Sequence, residues 1–123
     1  MNEATTTFSY NGHEYHFNVL ETEQAIKMEE ATKRLQKAES MRKKEGSLSE
    51  LISEQCNIIK SYFDGIFGEG AGIAICTERS DLRLCMDAMN AFFAFSDEQK
   101  SEMQSFGSTF SKYSNREQRR HNG

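Results

Sequence analysis

The stretch from residue 47 to residue 72 constrains the fold most, because it holds the strongest helix signal and the sharpest helix stop in the chain. Ser47-Leu48-Ser49-Glu50 has the pattern of a capping box, in which the Ser47 hydroxyl accepts from the Glu50 amide and the Glu50 carboxylate reaches back to the Ser47 amide. Apolar side chains then recur at spacings of three and four, at Leu48, Leu51, Ile52, Cys56, Ile59, Tyr62, Phe63, Ile66 and Phe67. Three glycines end the pattern at Gly68-Glu69-Gly70-Ala71-Gly72. We therefore predict an amphipathic central helix that the rest of the chain covers.

Before this helix, the sequence predicts a β-hairpin with one aromatic face. The Asn-Gly pair at residues 11 and 12 favours a two-residue type I′ turn, which sets Tyr10 opposite His13 and Phe8 opposite Tyr15. In that register one face carries Phe8, Tyr10, His13, Tyr15, Phe17 and Val19. An isolated hairpin is barely stable in water, so this face packs either on the helices or on another chain.

A charged helix is predicted over residues 22–44, ahead of the central one. Its apolar stripe consists mostly of small side chains, at Ala25, Met28, Ala31, Leu35, Ala38 and Met41. Such a stripe favours a helix on one side of a bundle, with a coiled-coil seam for self-association as the alternative. Gly46 ends this helix, and the short connection to Ser47 makes the first two helices an antiparallel hairpin.

A third helix is predicted from Ser80 or Asp81 to about Met103, with a kink near residues 96–99. Its inward face is formed by Leu82, Cys85, Met86, Met89, Phe92 and Phe93. For residues 73–79 the sequence allows either a helical turn or an extended segment. The predicted fold class is therefore mainly α with a small N-terminal β-hairpin, arranged as a three-helix antiparallel bundle (α+β).

The predicted domain organisation has one folded unit between two flexible ends. Residues 1–7 form a polar, flexible N-terminus, residues 8–103 form a single hairpin-plus-helical domain, and residues 104–123 form a flexible basic tail. The last segment has no hydrophobic period and carries a net charge of +3 in an otherwise acidic chain. It is predicted to be solvated, and the alternative is an electrostatic arm for an acidic partner or RNA.

Composition narrows the classes of function. The net charge of −4 does not favour general nucleic-acid binding, which needs a basic face. The chain has no apolar run of membrane-spanning length and does not begin with a signal sequence, so we expect a protein of the cytoplasm that uses no membrane. Three cysteines in apolar contexts are expected to be reduced and buried.

The residues do not assemble into a reaction centre. We expect no enzyme activity, no cofactor and no metal. His13 and His16 are separated by an odd number of residues, which sends them to opposite faces of a strand. The glycine loop follows a helix, lacks a lysine and contains Glu69, which would repel a phosphate.

A family resemblance gives the only direct indication of function. Tyr62-Phe63-Asp64-Gly65-Ile66-Phe67-Gly68-Glu69-Gly70-Ala71-Gly72 is followed by Asp81-Leu82 and by Cys85-Met86-Asp87-Ala88-Met89-Asn90-Ala91-Phe92-Phe93. These runs resemble tail assembly chaperones of long-tailed phages of Gram-positive hosts, over about residues 8 to 95. The pattern departs after Gly72, where an apolar run replaces a more polar stretch.

The resemblance implies a non-enzymatic role in the host cell cytoplasm. Such chaperones bind the long helical tape-measure protein before the tail tube polymerises around it, and are absent from the mature virion. Phage tape-measure protein or another phage tail protein is the expected partner, with self-association also open. The alternatives are a small structural protein of the virion and a phage inhibitor of a host defence system.

The predicted partner surface lies around the hairpin and the end of the central helix. The reason is that aromatic side chains are abundant for so polar a chain and are typical anchors of binding surfaces. The residues concerned are Phe8, Tyr10, Tyr15, Phe17, Phe67, Gly68 and Gly70. The alternative is that the hairpin folds over the helices and completes their core.

Overall fold

The computed structural model of the protein describes residues 3–122, with side chains for residues 5–112. Its elements are a 3-10 turn (Glu3–Thr6), β1 (Thr7–Tyr10), β2 (His13–His16), α1 (Thr22–Met41), α2 (Leu48–Phe67), α3 (Ala71–Cys76) and α4 (Leu82–Asn122). The helix α2 packs against α1, α3 and α4, and β1 packs against α4. The predicted fold class, mainly α with a small N-terminal β-hairpin, is confirmed.

The central helix begins where the sequence predicts. The Glu50 amide donates to the Ser47 hydroxyl over 3.2 Å, which is the first bond of the predicted capping box. Its apolar face is largely buried from Cys56 onward, where Ile59 and Phe63 have no exposed surface, whereas Leu48 at the start of the helix is 74% exposed. Phe92, which belongs to the predicted inward face of the third helix, is also fully buried in α4.

The first helix is shorter than predicted. It ends at Met41 rather than Lys44, because the backbone becomes extended at Arg42. The Lys43 amide then donates to the Glu54 carboxylate at 2.7 Å instead of to a carbonyl within the helix. The chain leaves α1 there and returns as α2, so the two helices are antiparallel neighbours as predicted.

The hairpin has the predicted register. Tyr10 pairs with His13, and Phe8 pairs with Tyr15. Asn11 and Gly12 both have positive φ, at 52° and 78°, as a type I′ turn requires. The two independent signals, turn type and aromatic alternation, therefore specify one pairing.

The structure decides one segment that the sequence left open, and α4 differs in two respects from its sequence-based prediction. Residues 73–76, left open by the sequence, belong to the short helix α3. The expected kink near residues 96–99 is absent, since α4 is helical from Leu82 to Asn122. That helix includes residues 104–122, which were predicted to form a tail without regular structure. No proline interrupts it, and extending an existing helix costs far less than starting one.

The N-terminal segment is attached to the fold through Gln99 of α4, whose side chain is 3% exposed. Its Nε2 donates to the carbonyls of Thr5 at 2.7 Å and Phe17 at 2.6 Å, and its Oε1 accepts from the Val19 amide at 3.0 Å. These bonds connect Thr5 to α4, whereas the flexibility of residues 1–7 stays a prediction, and residues 1 and 2 lie outside the described part of the chain. Gln99 lies within the continuous helix α4, in the stretch where the sequence predicted a kink.

Candidate functional site

The predicted partner surface at the hairpin is largely core. Phe8 and Phe17 are only 3% and 2% exposed, so their side chains are not available to a partner. Tyr10, Tyr15 and Phe67 are half-buried and pack against the same core. The structure therefore corrects the prediction for Phe8 and Phe17, and it supports the alternative in which the hairpin completes the helical core.

Phe92 lies at the centre of this aromatic cluster. Its ring centroid lies 5.3 Å from that of Phe8, 5.2 Å from that of Phe17 and 5.5 Å from that of Phe67, each in an edge-on arrangement. Edge-to-face contacts at these distances are favourable. Tyr15 covers the outside of the cluster, stacked on Phe67 at 4.6 Å.

The two glycines of the predicted surface shape the backbone at the end of α2. Gly68 has φ of 109° and Gly70 has φ of 94°, values that other residues adopt only with strain. The chain can therefore reverse between α2 and α3 within three residues. Both glycines are exposed, so they remain accessible, but their evident role is to form this corner.

A groove between α1 and α2 is a concave feature of the described residues. It encloses about 690 Å³. Its lining comprises Ala31, Arg34, Leu35, Ala38 and Lys43 from α1 and the segment after it, and Ser49, Glu50, Ser53, Glu54, Asn57, Ile58, Ser61 and Tyr62 from α2. The α2 side repeats every four residues, from residue 49 to residue 62, which corresponds to roughly 20 Å along the helix axis. We call this feature the α1/α2 groove.

The floor and rim of the α1/α2 groove differ in chemistry. Alanine and serine side chains leave room between the two helices, while the partly exposed Leu35 and Ile58 supply apolar surface. Charges of both signs line the same groove, with Arg34 and Lys43 on one side and glutamates on the other. An elongated space with apolar patches and mixed charge is suited to another amphipathic helix.

Comparison with known protein families identifies the family to which the chain belongs. A family model described as "Family of unknown function (DUF6673)" matches residues 11–123. The chain belongs to the DUF6673 family. No curated protein and no solved structure matches it. The matched residues include the α1/α2 groove, the glycine corner and all of α4.

The three cysteines of this DUF6673 protein meet in the core, at the junction of α2, α3 and α4. Cys56, Cys76 and Cys85 are free and buried, as expected from their apolar contexts. The thiol of Cys85 is close enough to those of the other two to influence their pKa values. Burial raises the pKa of Cys56 to about 11 and also raises the pKa of Cys76 and Cys85, so these thiols stay protonated and poorly nucleophilic at neutral pH.

Other chemistry-bearing residues of the DUF6673 protein are dispersed. His13 and His16 are exposed on the hairpin. Within the part of the chain that the structure describes, no group of three His, Cys, Asp or Glu side chains is placed to hold a metal ion. Among the same residues, no helix is long and apolar enough to cross a membrane.

Sequence reasoning missed the α1/α2 groove, although a signal for it exists. Ser49, Ser53, Asn57 and Ser61 recur every four residues and form a stripe of small polar side chains on α2. This stripe lies beside the apolar face that attracts attention first. Small residues opposite Ala31 and Ala38 of the neighbouring helix indicate a space between the helices, but only once the pairing of α1 with α2 is known.

Proposed function

We propose that this protein is a phage tail assembly chaperone, which binds amphipathic helices of the tape-measure protein in its α1/α2 groove. The observation that supports this proposal is the groove itself, which is about 690 Å³ in volume and is open along four turns of α2. The resemblance of the segment around Phe63-Asp64-Gly65 and Gly68-Glu69-Gly70 to such chaperones supplies the partner.

The physical match between groove and partner has two parts. A helix that buries an apolar stripe uses side chains at i, i+3, i+4 and i+7, and the groove offers the partly exposed Leu35 and Ile58 to receive them. The groove is also short relative to a tape measure, so many copies bind side by side. Each contact is weak and the assembly as a whole is strong, which allows the polymerising tube to displace the copies one by one.

The proposal places the protein in the host cell cytoplasm before the tube forms, and leaves it out of the mature virion. An exposed apolar helix stripe aggregates, and covering it is the task of the chaperone. The protein has no catalytic step in this role. It provides a surface that binds the partner reversibly.

The proposal is tested by co-expression with fragments of the tape-measure protein from the same phage. The parent should keep at least one fragment soluble, and Ala38→Arg should reduce the soluble amount roughly tenfold, because a loss of about 1.4 kcal/mol in binding is already a factor of ten. Ala94→Arg is the matched control, since Ala94 is exposed on α4 away from the groove lining. Thermal unfolding of each variant shows whether the fold is kept.

Two results would contradict this assignment. If the parent solubilises no fragment, the chaperone function fails. If Ala38→Arg retains capture while Tyr15→Ser loses it with its fold intact, the partner binds at the hairpin surface first predicted from the sequence. Ser61→Arg gives a second groove variant at an exposed position, in case Ala38→Arg unfolds.

A further inference from the structure

The helix α4 extends past the folded core. Among the side chains that the structure describes, up to residue 112, the last buried one along α4 is Gln99, and those of residues 103–112 are exposed. We call residues 103–112 the arm. Three large apolar side chains lie on it, with Met103 exposed by 60%, Phe106 by 43% and Phe110 by 69%.

The apolar residues of the arm share one face. Their spacings of three and then four residues place them in line over about 10 Å of helix, so residues 103–110 have a short helical period, contrary to the expectation that this part of the chain has none. Such a face is costly to leave in water, and an isolated helical segment is marginal without packing. The arm therefore presents an exposed apolar helix face of the kind that binds in a groove.

The α1/α2 groove is long enough to bind this face of the arm. It is open along roughly 20 Å, about twice the length of the apolar face on the arm. The arm cannot reach the groove of its own chain by folding back, because α4 is continuous from Leu82 to Asn122. A second copy of the chain can supply the missing partner.

The distribution of charge along the chain also favours contact between the end of one copy and the body of another. Residues 104–123 carry a net charge of +3, which leaves −7 on residues 1–103. The groove lining is locally balanced, with Glu50 and Glu54 against Arg34 and Lys43. The attraction therefore comes from the acidic body as a whole and should weaken with salt.

We propose that the arm of one copy docks in the α1/α2 groove of a second copy, so that the chain self-associates through two different surfaces. Met103, Phe106 and Phe110 enter the groove beside Leu35 and Ile58. Each copy donates one arm and accepts one, which closes either as a reciprocal dimer or as a ring. This inference concerns copies of the chain alone and does not depend on the tape-measure partner.

The mass of the full chain in solution tests the proposal. Light scattering at micromolar concentrations and low salt should give at least twice the chain mass of 14.1 kDa. The double variant Phe106→Ser, Phe110→Ser and the groove variant Ala38→Arg should each give a monomer, whereas Ala94→Arg should stay associated. Unfolding midpoints measured at low concentration verify that each fold is intact, and Ser61→Arg replaces Ala38→Arg if the latter unfolds.

Mixing the two monomeric variants gives the sharpest result. The arm variant keeps a groove and the groove variant keeps an arm, so a one-to-one complex should form from two proteins that are each monomeric. A monomeric parent overturns the proposal. So does a groove variant that still dimerises, or a mixture that stays monomeric, because both indicate that arms pair with arms or that another face is used.

The same variants separate this inference from the proposed function. An arm variant that is monomeric and still solubilises tape-measure fragments supports both. If the parent associates through arm and groove but solubilises no fragment, the result supports the self-association and refutes the chaperone function.

Discussion

Gln99 is the residue on which the attachment of the hairpin most depends. Its single side-chain amide bonds to backbone groups of Thr5, Phe17 and Val19, which are more than 75 positions away in the sequence. An amide is suited to this position because it both donates and accepts. An apolar side chain of similar size would leave three backbone groups without these partners.

We expect Gln99→Ala to lower the free energy of unfolding by about 1–3 kcal/mol for each backbone group that water cannot reach in its place. The matched control is Gln104→Ala, because Gln104 is exposed on the same helix and should change stability by less than about 0.5 kcal/mol. Urea unfolding of both variants measures the difference. Equal stabilities for the two would show that the Gln99 bonds contribute little.

At the scale of elements, the joint between α2 and α3 explains the glycine-rich motif. The Asp64 carboxylate accepts from the Gly72 amide at 2.7 Å, which ties the end of α2 to the first turn of α3. Gly72 itself lies against α2, where an added Cβ would come within 2.2 Å of the Lys60 carbonyl oxygen. The segment from Phe63 to Gly72 is thus a structural corner, and its composition follows from close backbone packing.

Gly72→Ala should therefore destabilise the protein strongly, by several kcal/mol, since the methyl group meets backbone that cannot move aside. Gly65→Ala is the control within the same motif. A Cβ there meets the end of the flexible Arg34 side chain at 2.7 Å, and alanine gains up to about 1 kcal/mol of helix propensity. Thermal unfolding should rank Gly65→Ala well above Gly72→Ala, and the reverse order would refute this packing argument.

At the scale of the whole molecule, a single hydrophobic core contains both a cluster of aromatic rings and a cluster of thiols. The hairpin and α4 contribute the rings around Phe92, and α2, α3 and α4 contribute the three cysteines. Because burial raises the pKa of the thiols, the folded state holds them protonated at pH values where an unfolded chain ionises them. Stability is thereby linked to pH on the alkaline side.

The sign of this linkage gives a prediction. The pKa of Cys56 rises from its ordinary value of 9.0 to about 11 on folding, so its contribution to stability is complete below pH 9 and is lost as the pH rises toward 11. The free energy of unfolding should fall between pH 9 and about pH 11, a range in which the buried Cys76, Cys85 and Tyr62, whose pKa values burial also raises, add to the fall. Cys56→Ala should be less stable at pH 7 and show a shallower fall, whereas parallel pH profiles would contradict the assignment.

Much of the fold could be predicted from the sequence, because it rests on neighbours in the chain. The Asn11-Gly12 turn and the aromatic alternation determined the register of the hairpin. Ser47 determined where α2 begins, and the apolar spacing identified Phe63 and Phe92 as core. Each of these signals is decided within a few residues, where turn geometry and helix periodicity act.

Only the tertiary structure decided where the open surfaces lie. The aromatic residues around Phe8 and Phe17 were expected to face a partner, yet α4 buries them, because a hairpin lowers its free energy by packing on the nearest apolar face. The α1/α2 groove exists only through the placement of two helices, and the exposure of Phe106 and Phe110 only through the straight course of α4. The sequence determined the elements and their inward faces, whereas their packing determined which surface remained for binding, since burial depends on residues far apart in the chain.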